Sequence, residues 1–316
     1  MNYGLPYMGS KNSIARWVVE HIPGADVFVD LFAGGCAVTH AALLSGRFGR
    51  IIANDISDAP QLFRDAVEGK FTDERRWISR EDFFRLKDSD PYVRYCWSFG
   101  NGGQNYLYSK EVEPWKRAVH YARVLGDCSQ LKAFGIDSDG SIADIRTHHE
   151  DYKKKYIAWY VKNVMHDEYA EIYGLQSLMQ SLQSLQRLQS LESLQRLQSL
   201  QSLESLQRLE TVRGDYRAVK IPAGSVVYCD IPYVGTTGYN GETFDHGAFY
   251  EWAERQTAPL IISEYTMPED KFVRVASIDK RQTLSGGSGK VVSEGLWMPK
   301  AQAEKIPVFD LFPDIA

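Results

Sequence analysis

The run Val226-Val227-Tyr228-Cys229-Asp230-Ile231-Pro232-Tyr233 leaves the chain little choice. Its β-branched and aromatic start favours a short buried strand. Pro232 has no N–H to give to a sheet ladder, so the strand must stop there. Asp230 and Tyr233 then stand at a strand's carboxyl end, where open α/β sheets bind ligands. Alone, these residues read first as a strand-ending turn without function; the rest of the chain shifts that reading.

Two earlier apolar runs also end in acids. Val27-Phe28-Val29-Asp30-Leu31-Phe32-Ala33-Gly34-Gly35-Cys36-Ala37-Val38 reads as a strand, a glycine turn and a helix start. Glycines there let a ligand approach the backbone, and the helix N-terminus offers free N–H groups to an anion. The spacing is neither the dinucleotide fingerprint nor a phosphate loop, so a carboxylate is served as well as a phosphate. The strand Arg50-Ile51-Ile52-Ala53-Asn54-Asp55 follows at about twenty residues, where an acid accepts from ribose hydroxyls in nucleotide-type sites. Asp55 also suits the cap of the next helix, with Ala59, Leu62, Phe63 and Val67 inward; both roles can hold. Later, residues 210–217 return to a strand and turn with Asp215 as a third acid, and residues 260–265 form another buried strand. Residues 272–278 and 290–297 pair as a closing β-hairpin around a glycine-rich loop. At the other end, Tyr3-Gly4-Leu5-Pro6-Tyr7-Met8-Gly9-Ser10-Lys11 is a loop, or a lid with an aromatic face and one cation. Ser10 or Asn12 is expected to cap a helix over residues 14–21 that buries Ile14, Trp17, Val18 and His21.

Composition removes some classes. No apolar run approaches the roughly 18 residues needed to cross a membrane, and residues 1–11 lack the pattern of a secretory signal. The four cysteines, Cys36, Cys96, Cys128 and Cys229, are scattered. That argues against a metal centre or a disulfide framework and for the reducing cytoplasm. The net charge of −5 counts modestly against nucleic acid without excluding a local basic face.

From residue 77 to 174 the βα alternation is lost. Residues 94–103 read as an ordered loop, and residues 113–124 as a helix with Trp115, Ala118, Val119 and Ala122 inward. Lys153, Lys154 and Lys155 belong to the most basic stretch. This segment is either a solvated helical subdomain or a substrate-recognition insert. In the second case the lysines touch phosphates, and Ser98 and Asn101 of the loop reach bases.

Residues 182–209 place a leucine at every third position, and residues 188–197 recur unchanged as residues 200–209, a twelve-residue super-repeat. Three residues turn about 300° in an α-helix, so its leucines would drift around the surface. In a 3₁₀-helix they would stack in one line, although long 3₁₀ runs are uncommon. With no proline or glycine and much leucine and glutamine, helix of one kind or the other is expected. The period does not fit a heptad coiled coil. The segment reads as a packing arm or spacer.

The motifs, in their order, resemble the adenine-N6 DNA methyltransferases of the Dam-like class, known from bacteria and phage. Pro6-Tyr7-Met8-Gly9-Ser10-Lys11 is similar to the family's N-terminal cofactor motif, and Asp30-Leu31-Phe32-Ala33-Gly34-Gly35 to its Phe-x-Gly-x-Gly-type motif. Asn54-Asp55 resembles the ribose-binding segment, and Gly214-Asp215-Tyr216 the cofactor-adenine motif. Asp230-Ile231-Pro232-Tyr233 resembles the catalytic Asp-Pro-Pro-Tyr, with isoleucine in place of the first proline.

The resemblance implies an α/β fold: a Rossmann-like methyltransferase sheet with helices on both faces, a mainly helical target-recognition insert and the leucine-repeat helical arm. The expected organisation is a catalytic domain in two parts, residues 1–76 and 211–316, with the insert at 77–174 and the repeat at 175–210. The implied cofactor is S-adenosylmethionine, held by Tyr7, Gly9, Lys11, Asp30, Phe32, Ala33, Gly34, Gly35, Asp55 and Asp215. The implied partner is double-stranded DNA with the target adenine flipped out. Asp230 and the Ile231 carbonyl would accept the amino hydrogens, Pro232 would hold Ile231 extended, and Tyr233 would stack on the base. Neither metal nor covalent enzyme intermediate is required. Two alternatives remain: a DNA-binding or interaction protein on a decayed methyltransferase scaffold, and methylation of cytosine-N4 or RNA. Specificity, a paired nuclease of a restriction–modification system and oligomeric state are not encoded legibly.

Overall fold

The computed structural model describes residues 2–110, 112–134, 189–200, 207–233, 244–281 and 291–304. The chain forms two compact units. One holds residues 1–5, 9–69 and 200–316, and the other residues 6–8 and 70–199.

The first unit is built on a 7-stranded sheet. Its strands are β1 (Val27–Asp30), β2 (Arg50–Asp55), β3 (Leu209–Arg213), β4 (Ser225–Cys229), β5 (Leu260–Glu264), β6 (Phe272–Arg281) and β7 (Val291–Pro299). They lie in the order β3-β2-β1-β4-β5-β7-β6. The first five run parallel, β7 is antiparallel to β5, and β6 to β7. The strand order turns back between β1 and β4, the switch point where α/β sheets open a crevice at their carboxyl ends.

Burial follows the pleat. Val27, Val29, Val227 and Cys229 face one side and pack with Phe249 and Ala253 of a helix spanning His246–Glu254. That helix starts where the Asp245 carboxylate accepts the Ala248 N–H at 2.9 Å. Phe28 and Tyr228 face the other side, with Phe28 stacked on Phe48 at 5.1 Å. Helices α2 (Ala37–Ser45) and α3 (Ala59–Val67) lie on this side, touching through His40 and Phe63. Helices therefore cover both faces, and β4 is buried throughout, as a central parallel strand must be.

The helix α1 (Ala15–Glu20) departs from expectation at its start. Neither Ser10 nor Asn12 caps it. Ile14 stands at the cap without a side-chain bond, and the Asn12 oxygen accepts the Tyr3 N–H instead, at 2.6 Å. Its buried face carries Ile14, Ala15, Val18 and Val19. Trp17 and His21 stay half-buried, 4.7 Å apart.

The described residues of the second unit form helices and one isolated bridge, Ser98 to Tyr106. Its helices are α4 (Arg80–Leu86), α5 (Pro91–Cys96), α6 (Glu113–His120) and α7 (Gln189–Ser199). Ser79 caps α4, and Asp90 caps α5. The stretch expected as a loop from residue 94 thus begins inside α5, because Asp90-Pro91 is a strong helix start. In α6, Trp115 and Ala118 point inward as expected, but Lys116 and His120 are buried as well and Val119 only half so.

Within the leucine repeat, α7 is an α-helix and not a 3₁₀-helix, while residues 207–208 make a single 3₁₀ turn before β3. Its buried residues are Ser190, Ser193, Leu194, Leu197 and then Leu200. This is an α-helical stripe, so serines take the seats that drifting leucines vacate. The Ser190 and Tyr108 hydroxyls bond at 2.9 Å, and Gln198 donates to the carbonyls of Phe71 and Thr72 at 3.1 Å each. No helix among the described residues is long and apolar enough to cross a membrane.

Candidate active site

The parallel register brings three acids to one edge of the first unit. Asp30 ends β1 and is in register with Ala53 of β2 and Tyr228 of β4. Asp55 ends β2, and Asp230 follows β4 directly.

Between Asp30 and α2 the chain makes a tight turn in which Gly34 and the non-glycine Cys36 both take left-handed backbone angles, φ 46° and 59°. Backbone and side-chain bonds hold it. Ala33 donates to the Asn54 carbonyl at 2.8 Å, and Gly34 to an Asp55 oxygen at 2.9 Å. The other Asp55 oxygen accepts from Ser57 at 2.8 Å. Asp55 therefore ties the glycine turn to the end of β2 and does not cap α3, whose cap position belongs to Asp58. From the N-terminal segment, Leu5 donates to the Gly35 carbonyl at 2.7 Å, and Gly4 to His40 at 3.0 Å. Gly4 has φ +64°, and a Cβ there would run into the Gly35 carbonyl and the Ala37 backbone. Asn54 donates to the carbonyls of Leu31 and Gly214, at 2.9 and 3.1 Å, joining the turn to the segment after β3. Phe32 packs against Tyr216 at 5.1 Å and Phe244 at 5.7 Å. Asp215 caps the short turn that follows it and pairs with its own neighbour Arg217 at 2.5 Å.

Asp30 is buried. One of its oxygens accepts the Thr39 hydroxyl at 2.7 Å, and the other has no hydrogen-bond partner among the described residues. Burial pushes its pKa up to about 7, helped by the charges of Asp230 and Asp55, although the Thr39 hydroxyl pulls the other way.

Asp230 does not stand alone. Lys11, 5% exposed, sets its ammonium 2.6 Å from one Asp230 oxygen and 3.4 Å from Glu294 of β7. It also donates to the Tyr233 hydroxyl, and that hydroxyl donates to Glu294. Burial alone would lower the Lys11 pKa, but the two carboxylates outweigh it and raise it, so the ammonium keeps its charge. Burial, with the same two carboxylates, pushes the Tyr233 phenol far up, so Tyr233 remains a donor. Ser263 of β5 also donates to Glu294, at 2.8 Å. Ile231 is buried in the apolar core with Phe249 and Phe272, and the Pro232 carbonyl lies 2.8 Å from the His246 ring. The Tyr233 and Tyr265 rings are 4.5 Å apart.

Asp30, Phe32, Ala33, Gly34, Gly35, Asp55, Asp215 and the Asp230 segment thus gather around the carboxyl ends of β2, β1 and β4. Lys11, expected to help hold the cofactor, is engaged with Asp230, Tyr233 and Glu294. Gly9 has φ +77° and opens the same stretch of the first unit as Lys11. Tyr7 belongs to the second unit, where it contacts Tyr95 at 5.3 Å. Ser98, expected to reach a base, is buried, and its hydroxyl accepts the Gly103 N–H at 2.8 Å; it shapes the loop from within. Asn101 is half-buried, with φ 56°, and donates to the Tyr95 carbonyl at 2.8 Å. Phe99, beside it, is 72% exposed. Lys153, Lys154 and Lys155 lie outside the described residues.

Two residues bonded to these segments escaped sequence reasoning, Glu294 and His246. A signal existed for Glu294, a charge set within the apolar strand Val291-Val292-Ser293-Glu294-Gly295-Leu296-Trp297. Among the described residues no group of three or more His, Cys, Asp or Glu side chains could hold a metal ion.

Comparison with curated proteins finds no match. A family model does match: residues 7–122 fit that of the D12 class N6 adenine-specific DNA methyltransferases. The matched segment contains Lys11, the glycine turn, Asp55 and the first part of the helical unit. With the sheet order and the Asp230 segment, it agrees with the resemblance seen in the motifs. Over residues 7–122 this chain is similar to the D12 class of N6 adenine-specific DNA methyltransferases.

Proposed function

We propose that the protein transfers a methyl group from S-adenosylmethionine to N6 of an adenine within a defined sequence of double-stranded DNA. The observation that carries this reading is Asp230, held at the end of β4 beside the glycine turn of β1.

The residues at the turn fit the cofactor. Asp30 has a buried acceptor oxygen without a hydrogen-bond partner among the described residues, suited to a cationic amine. Asp55 spends one lone pair of each oxygen on backbone N–H groups, and a carboxylate oxygen can accept more than one bond, which suits ribose hydroxyls. Gly34 and Gly35 leave the backbone open to close approach. Phe32 and Asp215 line the same edge. When bound, S-adenosylmethionine supplies an electrophilic methyl.

The remaining work falls to the chain. The adenine amino group is a poor nucleophile because its lone pair is spread into the ring. Asp230 and the Ile231 carbonyl accept its two hydrogens and so localise and orient that lone pair. A carbonyl survives the change from proline to isoleucine, and the apolar seat of Ile231 supports the extended geometry that Pro232 imposes. Tyr233 offers a ring face to a base taken out of the stack. In the second unit, the exposed Phe99 beside Asn101 suits insertion into a duplex, and Phe99→Ala should weaken duplex binding in fluorescence anisotropy.

The test is transfer of labelled methyl to unmethylated duplex DNA. Label in N6-methyladenine is expected, with kcat about 10²–10³-fold lower or worse in Asp230→Ala. Absence of transfer despite cofactor binding would favour the impaired scaffold, and label on cytosine would give another substrate class. S-adenosylmethionine at a hundred times its Kd should stabilise the protein by about 2.7 kcal/mol. In a thermal melt, Asp55→Ala should lose most of that shift.

A further inference from the structure

Resting on the reading of Asp230 as the acceptor of the adenine amine, we propose that Glu294 is a positioning residue that receives the Lys11 ammonium when substrate takes its place on Asp230.

Among the described residues, Lys11 stands within ion-pair distance of two carboxylates, Asp230 and Glu294. Lys11 donates to Asp230 at 2.6 Å, the very acceptor that the amino group needs. The chain's own ammonium thus occupies the substrate's donor position. Its nitrogen also stands 4.5 Å from the centroid of the Tyr233 ring, the ring expected to stack on the base. Lys11 must withdraw for the amine to bind, yet at 5% exposure it cannot reach water freely. A buried ammonium stripped of its partner is costly.

Glu294 removes that cost. It is fully buried, lies 3.4 Å from the same ammonium, and is fixed by the Ser263 and Tyr233 hydroxyls. A shift of the lysine side chain by about one bond length exchanges its nearer partner. The charge then stays paired throughout, and Asp230 is released as an anion. Tyr233 links both positions, since its oxygen accepts from Lys11 while its hydrogen goes to Glu294.

Glu294→Gln keeps size and an acceptor oxygen for both hydroxyls but removes the charge. Lys11 then has Asp230 as its one ionic partner in this cluster, and substrate must compete for it. The expected result is a fall in kcat/KM for duplex DNA of about 5- to 150-fold, the range of coupling between two linked binding events, with cofactor affinity unchanged. In a Lys11→Met background there is no charge to hand over, and the further loss on Glu294→Gln should vanish. An equal loss in both backgrounds, or none in either, overturns the proposal. Should Glu294→Gln fail to fold, Glu294→Asp keeps the charge and draws it back by a methylene; a smaller loss, again absent with Lys11→Met, is expected. Asp230→Ala separates the two levels. Transfer that persists in it overturns the underlying reading, and a wild-type protein without transfer overturns both. Transfer that is lost in Asp230→Ala but indifferent to Glu294→Gln overturns this inference alone.

Discussion

Asp30 shows how a candidate site residue can cost the fold something. Its folded pKa lies near 7, above the usual carboxylate value of 3.8. The unfolded chain therefore gives up this proton first as pH rises. Stability linked to Asp30 is fully present below about pH 4 and is lost as pH climbs to about 7, by up to about 4 kcal/mol. Asp30→Asn should keep the Thr39 bond, raise the melting temperature at pH 8 and leave it little changed at pH 4. A pH series of thermal melts checks this, and cofactor affinity should fall in the same variant. The placement of Asp30, Asp55 and Asp230 at strand ends was legible because each closes an apolar run. Glu294 was not, because its meaning depends on a pairing between distant segments, Lys11 and β7, that local pattern does not encode. Ser98 misled for a related reason: a serine in a glycine-rich loop reads as a surface group until the bridge to Tyr106 shows it turned inward.

At the level of elements, the strands were the easiest to read and the repeat the hardest. β-branched runs closed by acid or proline specify β1, β2 and β4 locally. In the repeat, leucine spacing alone favours 3₁₀ stacking, whereas α7 adopts the better hydrogen-bonded α-helix and buries serines along with leucines. Packing decided, because Tyr108 supplies a polar partner for Ser190. Leu197→Ala, at a fully buried position, should cost about 2–5 kcal/mol in denaturant unfolding. Gln195→Ala, on the exposed side, should stay within about 0.5 kcal/mol. The return to the sheet has its own anchor. Arg208 donates to the carbonyls of Phe48 and Leu43, at 2.9 and 3.2 Å, just before Leu209 pairs with Ile51. Arg208→Ala should cost about 1–3 kcal/mol by leaving those carbonyls without their donor.

Across the whole molecule, neighbouring strands β2 and β3 are separated in sequence by residues 70–199 of the second unit. The sheet can be completed only after that chain has been made and has come back. The cost of so long a closure is nearly insensitive to further length, since a doubling adds only about 0.6 kcal/mol. One decapeptide stands at both ends of the return. As residues 188–197 it supplies most of α7, and as residues 200–209 it delivers Arg208 and Leu209 to the sheet. Its final Gln-Arg-Leu is helical in the first copy and leads into strand in the second. A descendant that gained one more twelve-residue copy would still present the same side chains to both anchorages. Copy number is therefore a coordinate along which this lineage can drift almost without penalty, and a chain carrying one added unit should unfold within about 1 kcal/mol of its parent.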